Sequence, residues 1–141
     1  MSLVIELNSA PDKSDVNAVH EGLSAFNRTH LPFVHDASFA LFLRSDTGKL
    51  HGGVTVRVLG QCLYLDYFWL SEGVRGKGWG EKIINMVEQE GKNRNVNGIY
   101  LDTYTFQASQ FYKKLGFIET GRFCDFPVLG VDKIFLCKRC R

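Results

Sequence analysis

A chain of 141 residues and 16.0 kDa is long enough to bury one hydrophobic core, and a single domain over 1–141 is expected. With 45% hydrophobic and 23% charged residues it has the balance of a globular protein, not of a disordered one. A net charge of only +2 argues against a nucleic-acid-binding surface, which masses basic residues on one face.

Residues 3–7 form a short apolar run that reads as a first strand. Pro11, Asp12 and Ser14 supply helix-start chemistry, and Val16, Val19, Leu23 and Phe26 then share one face at helical spacing. Pro32 opposes continuation of that helix. Residues 39–43 read as a strand, and Asp46, Thr47 and Gly48 as a turn. Val54, Val56 and Val58 alternate with Thr55 and Arg57, the period of a strand with one polar face. Gly60 and Gln61 suit a tight hairpin into a strongly apolar strand, Cys62–Leu70. A glycine-rich turn over 73–80 leads into a helix carrying Trp79, Ile83, Met86, Val87 and Glu90 at helical spacing, stopped by Gly91 and the polar stretch 92–97. Residues 99–104 read as a strand, Ala108, Phe111, Tyr112 and Leu115 as a helix ended by Gly116, and 117–123 and 133–138 as two final strands. The order predicts a mixed α/β domain with an antiparallel meander at its centre.

The segment Arg75-Gly76-Lys77-Gly78-Trp79-Gly80 joins a buried strand to a helix. Helix N-termini present unpaired N–H groups and the positive dipole end, and glycines let a phosphate approach them closely. A dinucleotide fingerprint is excluded, because Glu81 stands where its third glycine belongs and no parallel βαβ opening precedes it. A P-loop fails at Trp79, where Lys and Ser or Thr should follow Gly78. A pyrophosphate site and a plain surface turn both remain open on these residues alone.

Arg75, Gly78 and Gly80 stand at the spacing of the GNAT acetyltransferase signature, which is Arg or Gln, two residues, Gly, one residue, then Gly or Ala. The run Phe111-Tyr112-Lys113-Lys114-Leu115-Gly116-Phe117 resembles the helix and strand that follow the cofactor site in that family. On these two segments and the order of elements, the chain resembles the GNAT superfamily over nearly its whole length. The resemblance implies a mixed, mostly antiparallel sheet of six to seven strands flanked by about four helices, splayed between the fourth and fifth strands with acetyl-CoA in the gap. It implies that Phe68, Trp69 and Leu70 pair with the pantetheine arm. The backbone of Arg75, Gly76, Lys77, Gly78, Trp79, Gly80 and Glu81 would then hold the pyrophosphate. Gln107 stands where many members have Asn.

The activity so implied is transfer of an acetyl group from acetyl-CoA to a primary amine of a small molecule. A protein N-terminus or lysine as acceptor, or a non-catalytic acetyl-CoA sensor, are the alternatives. A backbone N–H near Trp69 or Leu70 would polarise the thioester carbonyl, if the strand carries a bulge. Tyr112 matches the usual proton donor, against a reading as a packed aromatic. Asp66 is the candidate base, its carboxyl raised by burial among Leu65, Tyr67 and Phe68 or relayed through water, against a structural Asp. Tyr64, two residues from Asp66, shares its face. Asn27, Tyr64, Tyr104 and Asp125 are candidate substrate contacts, and Asp125 before Phe126-Pro127 also suits a turn.

No other chemistry competes. Of Cys62, Cys124, Cys137 and Cys140 only the last two form a C-x-x-C pair, with no second pair at metal spacing, and the four histidines make no ligand pattern, so no metal is expected. The start lacks a signal-peptide pattern, and the apolar stretch Cys62–Leu70 is too short to cross a bilayer. The expectation is a cytoplasmic protein with neither nucleic-acid nor membrane partner, and a homodimer is possible by family analogy.

Overall fold

The computed structural model describes residues 1–31 and 37–140. The chain divides into two compact units, Met1–Val34 and His35–Arg141. In the first unit, helix α1 spans Lys13–Arg28. Asp12 stands at its N-cap with extended backbone, and its carbonyl accepts from the N–H groups of Asp15 and Val16 at 3.1 and 3.2 Å. Asp15 in the first turn and Arg28 in the last complement the helix dipole. Residues 3–7 form no strand. An apolar run becomes a strand only where a partner edge satisfies its backbone groups, and composition cannot supply that edge.

The second unit is a six-stranded sheet in the order β1-β2-β3-β4-β6-β5. Its strands are β1 Ala37–Arg44, β2 Leu50–Leu59, β3 Cys62–Leu70, β4 Gly98–Tyr104, β5 Ile118–Phe123 and β6 Lys133–Arg139. Helix α2, Trp79–Asn93, joins β3 to β4, and α3, Ser109–Lys114, joins β4 to β5. Among the described residues there are three α-helices and a short 3₁₀ turn, Glu72–Val74, where about four helices were expected. All pairings are antiparallel except β3 with β4, which α2 joins as a crossover.

One face of the sheet builds the core. Val54, Val56 and Val58 of β2, Leu63 and Leu65 of β3, Ile99 and Leu101 of β4, and Ile134 and Leu136 of β6 are buried with Ile83, Ile84 and Val87 of α2. Met86, expected on the apolar stripe of α2, is exposed, and Ile84 fills the core in its place. α2 ends at Asn93, inside the expected stop over 91–97, with Gly91 in its last turn. A Cβ at Gly91 would stand 2.8 Å from Val96 Cγ2 and 3.2 Å from Leu63 Cδ1, so this glycine exists to let the helix close on the sheet.

The sheet opens in its middle. The β3–β4 ladder has only three pairs, Cys62↔Gly98, Leu63↔Ile99 and Tyr64↔Tyr100, after which the strands part. The cause is local to β3. Its register against β2 passes from Leu65↔Val56 to Tyr67↔Thr55, so Asp66 is the extra residue of a β-bulge. A bulge bends and over-twists its strand, here just past the last rung shared with β4. The expected splay between the fourth and fifth strands is therefore present, as β3 and β4 in the observed count.

Candidate active site

The gap between β3 and β4 is the mouth of a cavity of about 850 Å³. Leu65 to Leu70 of β3 line one wall, and Leu101, Asp102 and Thr103 of β4 the other. Phe111 and Tyr112 of α3 close the bottom. The glycine turn and the first residues of α2 form one end.

That end is built for an anion. Gly78 is the N-cap of α2, at φ 87°, and no side chain caps the helix. The first N–H groups of α2 are therefore without side-chain acceptors, at the positive end of the dipole. Gly76, at φ 71°, and Gly78 are both left-handed, and nothing lies within 4 Å of where their Cβ atoms would stand. Arg75 secures the turn, its Nε donating to the Leu70 carbonyl at 2.8 Å. Gly80 meets a different need: a Cβ there would stand 3.0 Å from Phe111 Cζ and 3.6 Å from Phe68 Cζ. Its bareness seats the start of α2 on the aromatic floor. The cavity thus joins open N–H groups at the start of α2 to the edge of β3 that the β4 ladder leaves unpaired.

Tyr112 also lines the cavity and is 5% exposed. Its ring meets those of Phe68, Phe111 and Phe117 edge-on, with centroids 6.3, 5.2 and 5.6 Å away. Burial pushes its phenol up to about 12. Asp66 lines the cavity at the bulge, but it is exposed and its Oδ2 lies 4.0 Å from Arg57 Nε. The expected burial among Leu65, Tyr67 and Phe68 is absent, because Asp66 shares with Cys62 and Tyr64 the face of β3 opposite the buried Leu63 and Leu65. The bulge itself falls at Asp66, not at Trp69 or Leu70, which pair with Gly53 and Gly52. The Tyr67 N–H beside the bulge donates to Thr55 Oγ1 at 3.1 Å.

The cavity brings together Asp66, Phe68, Trp69, Leu70, Arg75, Gly76, Gly78, Gly80, Glu81, Gln107 and Tyr112 from the sequence expectation. Gln107 is tied to its own strand end, its Oε1 accepting from Thr103 Oγ1 and the Tyr104 N–H at 2.9 and 2.8 Å. Lys77 and Trp79 are not in the lining, and Lys82 Nζ sits 4.7 Å over the Trp79 ring. Tyr64 is not in the lining either, and its hydroxyl donates to Asp102 Oδ2 at 2.7 Å. Tyr104 stacks on Phe106 at 5.5 Å. Asp125 takes φ 58°, and its Oδ1 accepts from the Gly130 N–H at 2.8 Å, which is the turn role. Asn27 is on α1 in the first unit, its carbonyl accepting from the N–H groups of His30 and Leu31.

Sequence reasoning missed Asp102, Phe106 and Phe111 as lining residues. Asp102 had one available signal, a carboxylate inside an otherwise apolar and aromatic strand.

This arrangement is that of an acyltransferase: a splayed sheet, an uncapped glycine turn at a helix start, and a buried phenol, all on one cavity. A profile of the acetyltransferase (GNAT) family matches residues 7–117. Among curated proteins, an acetyltransferase of Agrobacterium fabrum is 26% identical over 115 residues, 82% of this chain and 84% of its own. Blasticidin-S acetyltransferase of Streptomyces morookaense is 30% identical over 101 residues, 71% of this chain and 74% of its own. Among solved structures, an acetyltransferase from Bacillus cereus superposes with a TM-score of 0.85 at 28% identity, covering 95% of this chain and 97% of that one. The chain belongs to the acetyltransferase (GNAT) family and is an acetyl-transferring enzyme.

Proposed function

We propose that the protein transfers the acetyl group of acetyl-CoA to a primary amine of a small molecule. The observation that carries this reading is the uncapped, glycine-opened start of α2 in a cavity that the buried Tyr112 also lines. Acetyl-CoA, when bound, supplies an activated thioester and a thiolate leaving group. The N–H groups at the start of α2 bind its pyrophosphate. The edge of β3 beyond Tyr64, unpaired on the β4 side, binds the pantetheine arm as an added strand. Blasticidin-S acetyltransferase, by its name, supports a small-molecule acceptor over a protein one.

Tyr112 acts on the leaving group. A thiol has a model value of about 8.5, and the Tyr112 phenol is held at about 12. Complete proton transfer to the thiolate would be uphill by about 5 kcal/mol at 1.36 kcal/mol per unit. Tyr112 therefore keeps its proton and stabilises the developing thiolate by donating a hydrogen bond. Asp66, at the bulge and open to solvent, takes the ammonium proton through water before attack. The test is incubation of the purified protein with acetyl-CoA and a panel of amines, with free CoA and acetylated product followed by mass spectrometry. Turnover on a small amine is expected. Binding of acetyl-CoA without turnover on any amine would shift the reading to a protein acceptor or a sensor, and absence of binding would refute it.

A further inference from the structure

Asp102 belongs to no role given so far, although it lines the cavity. Both of its oxygens are engaged: Oδ2 accepts from the Tyr64 hydroxyl at 2.7 Å, and Oδ1 lies 3.6 Å from Lys133 Nζ. It is therefore not a free carboxylate waiting for a substrate cation. Its position is the informative feature. The last rung of the β3–β4 ladder is Tyr64↔Tyr100. Asp102 is two residues further along β4, so it faces the same side as Tyr100. The Tyr64 side chain reaches across from the last paired rung to the first residue on that face that the ladder no longer holds. Its ring is fixed for that reach, packed on Tyr100 at 5.0 Å and under the Arg57 guanidinium at 5.1 Å.

We infer that the Tyr64–Asp102 hydrogen bond is a positioning device that sets how widely the sheet forks, and so the width of the slot for acetyl-CoA. Where backbone bonds between β3 and β4 stop, this bond is a direct tie between the two strands. A neutral donor on a carboxylate makes it a strong one, and Tyr64 and Asp102 are a positioning pair, not catalytic residues. The inference rests on the functional reading above.

The test measures KM for acetyl-CoA and for the amine together. Tyr64→Phe keeps the ring, its stacking and its place under Arg57, and removes only the tie. It is expected to raise KM for acetyl-CoA about tenfold, the size of one lost charge-assisted bond, with KM for the amine unchanged. Asp102→Asn keeps an oxygen to accept from Tyr64 but loses the charge, so KM for acetyl-CoA is expected to rise about threefold, between wild type and Tyr64→Phe, with an unaltered pH–rate profile. Asp102→Ala should match Tyr64→Phe, and the double variant should be no worse than either single one, the signature of one shared interaction. A merely structural role would lower the active fraction, and so kcat, without moving KM for acetyl-CoA. The inference is overturned by wild-type KM in Tyr64→Phe, by additive losses in the double variant, or by an Asp102→Asn protein that loses the basic limb of its chemistry. If Tyr64→Phe does not fold, the contrast between Asp102→Asn and Asp102→Ala decides the matter alone. A wild-type protein that binds no acetyl-CoA overturns the functional reading and this inference with it, whereas failure of the variants alone leaves that reading standing.

Discussion

Replacing Tyr112 with Phe removes one oxygen from a buried ring. The contacts with Phe68, Phe111 and Phe117 are made by the ring and survive. The change removes only the hydroxyl and keeps these ring contacts, so stability should change little. The effect on chemistry should be large. A preorganised donor aimed at developing negative charge is worth about 3 kcal/mol in a site of this kind, which is roughly a hundredfold in kcat. KM for acetyl-CoA should move less than about threefold, because the pyrophosphate and pantetheine contacts lie elsewhere in the cavity. With the phenol held near 12, its ionisation should not limit activity anywhere below about pH 10. The assay is steady-state release of CoA on an accepted amine from pH 6 to 10, with thermal melting as a control for folding. Unchanged kcat in a folded variant would refute the assignment. A wild-type alkaline limb that vanishes in Tyr112→Phe would refute the argument that the phenol keeps its proton.

Asp66→Asn should lower kcat on an accepted amine with KM for acetyl-CoA unchanged, and a full-rate variant would remove Asp66 from the mechanism. Gly91→Ala places a Cβ 2.8 Å from Val96 Cγ2 and should cost about 1–3 kcal/mol by overpacking. Denaturant melts would show this, with acetyl-CoA affinity of the folded fraction unchanged. Alkaline stability follows from Tyr112 as well. Its neutral form is favoured by burial, so its contribution is complete below the unfolded value of about 10 and is lost as pH rises through the folded value near 12. At 5% exposure that contribution is about 2–3 kcal/mol, and Tyr112→Phe should flatten the fall in melting temperature above pH 10.

The local patterns were sufficient for the elements of the second unit. Strand alternation at Val54, Val56 and Val58, the turn at Gly60 and the helical spacing after Gly80 depend on neighbours within a few residues, and each appears where it was read. The glycine turn was legible for the same reason, since Gly76 and Gly78 answer to their own backbone angles. Tyr112 and Phe68 were legible through the family signature, not through any property of the residues themselves.

The features that turn this fold into a site come from residues far apart in the chain. Tyr64 and Asp102 are 38 positions apart and meet only because α2 returns the chain parallel to β3. Gly91 looked only like part of a helix stop until Leu63 and Val96 were brought against it. The run at 3–7 looked like a strand, but strand formation needs an edge that a one-dimensional pattern cannot contain. The bulge at Asp66 is the sharpest case: a single unpaired residue, invisible in the apolar run Cys62–Leu70, bends β3 away from β4. Within the second unit sequence alone determined which segments extend and which coil, because side-chain periodicity is local. Tertiary structure decided where the pairing stops, because register is a relation between two strands.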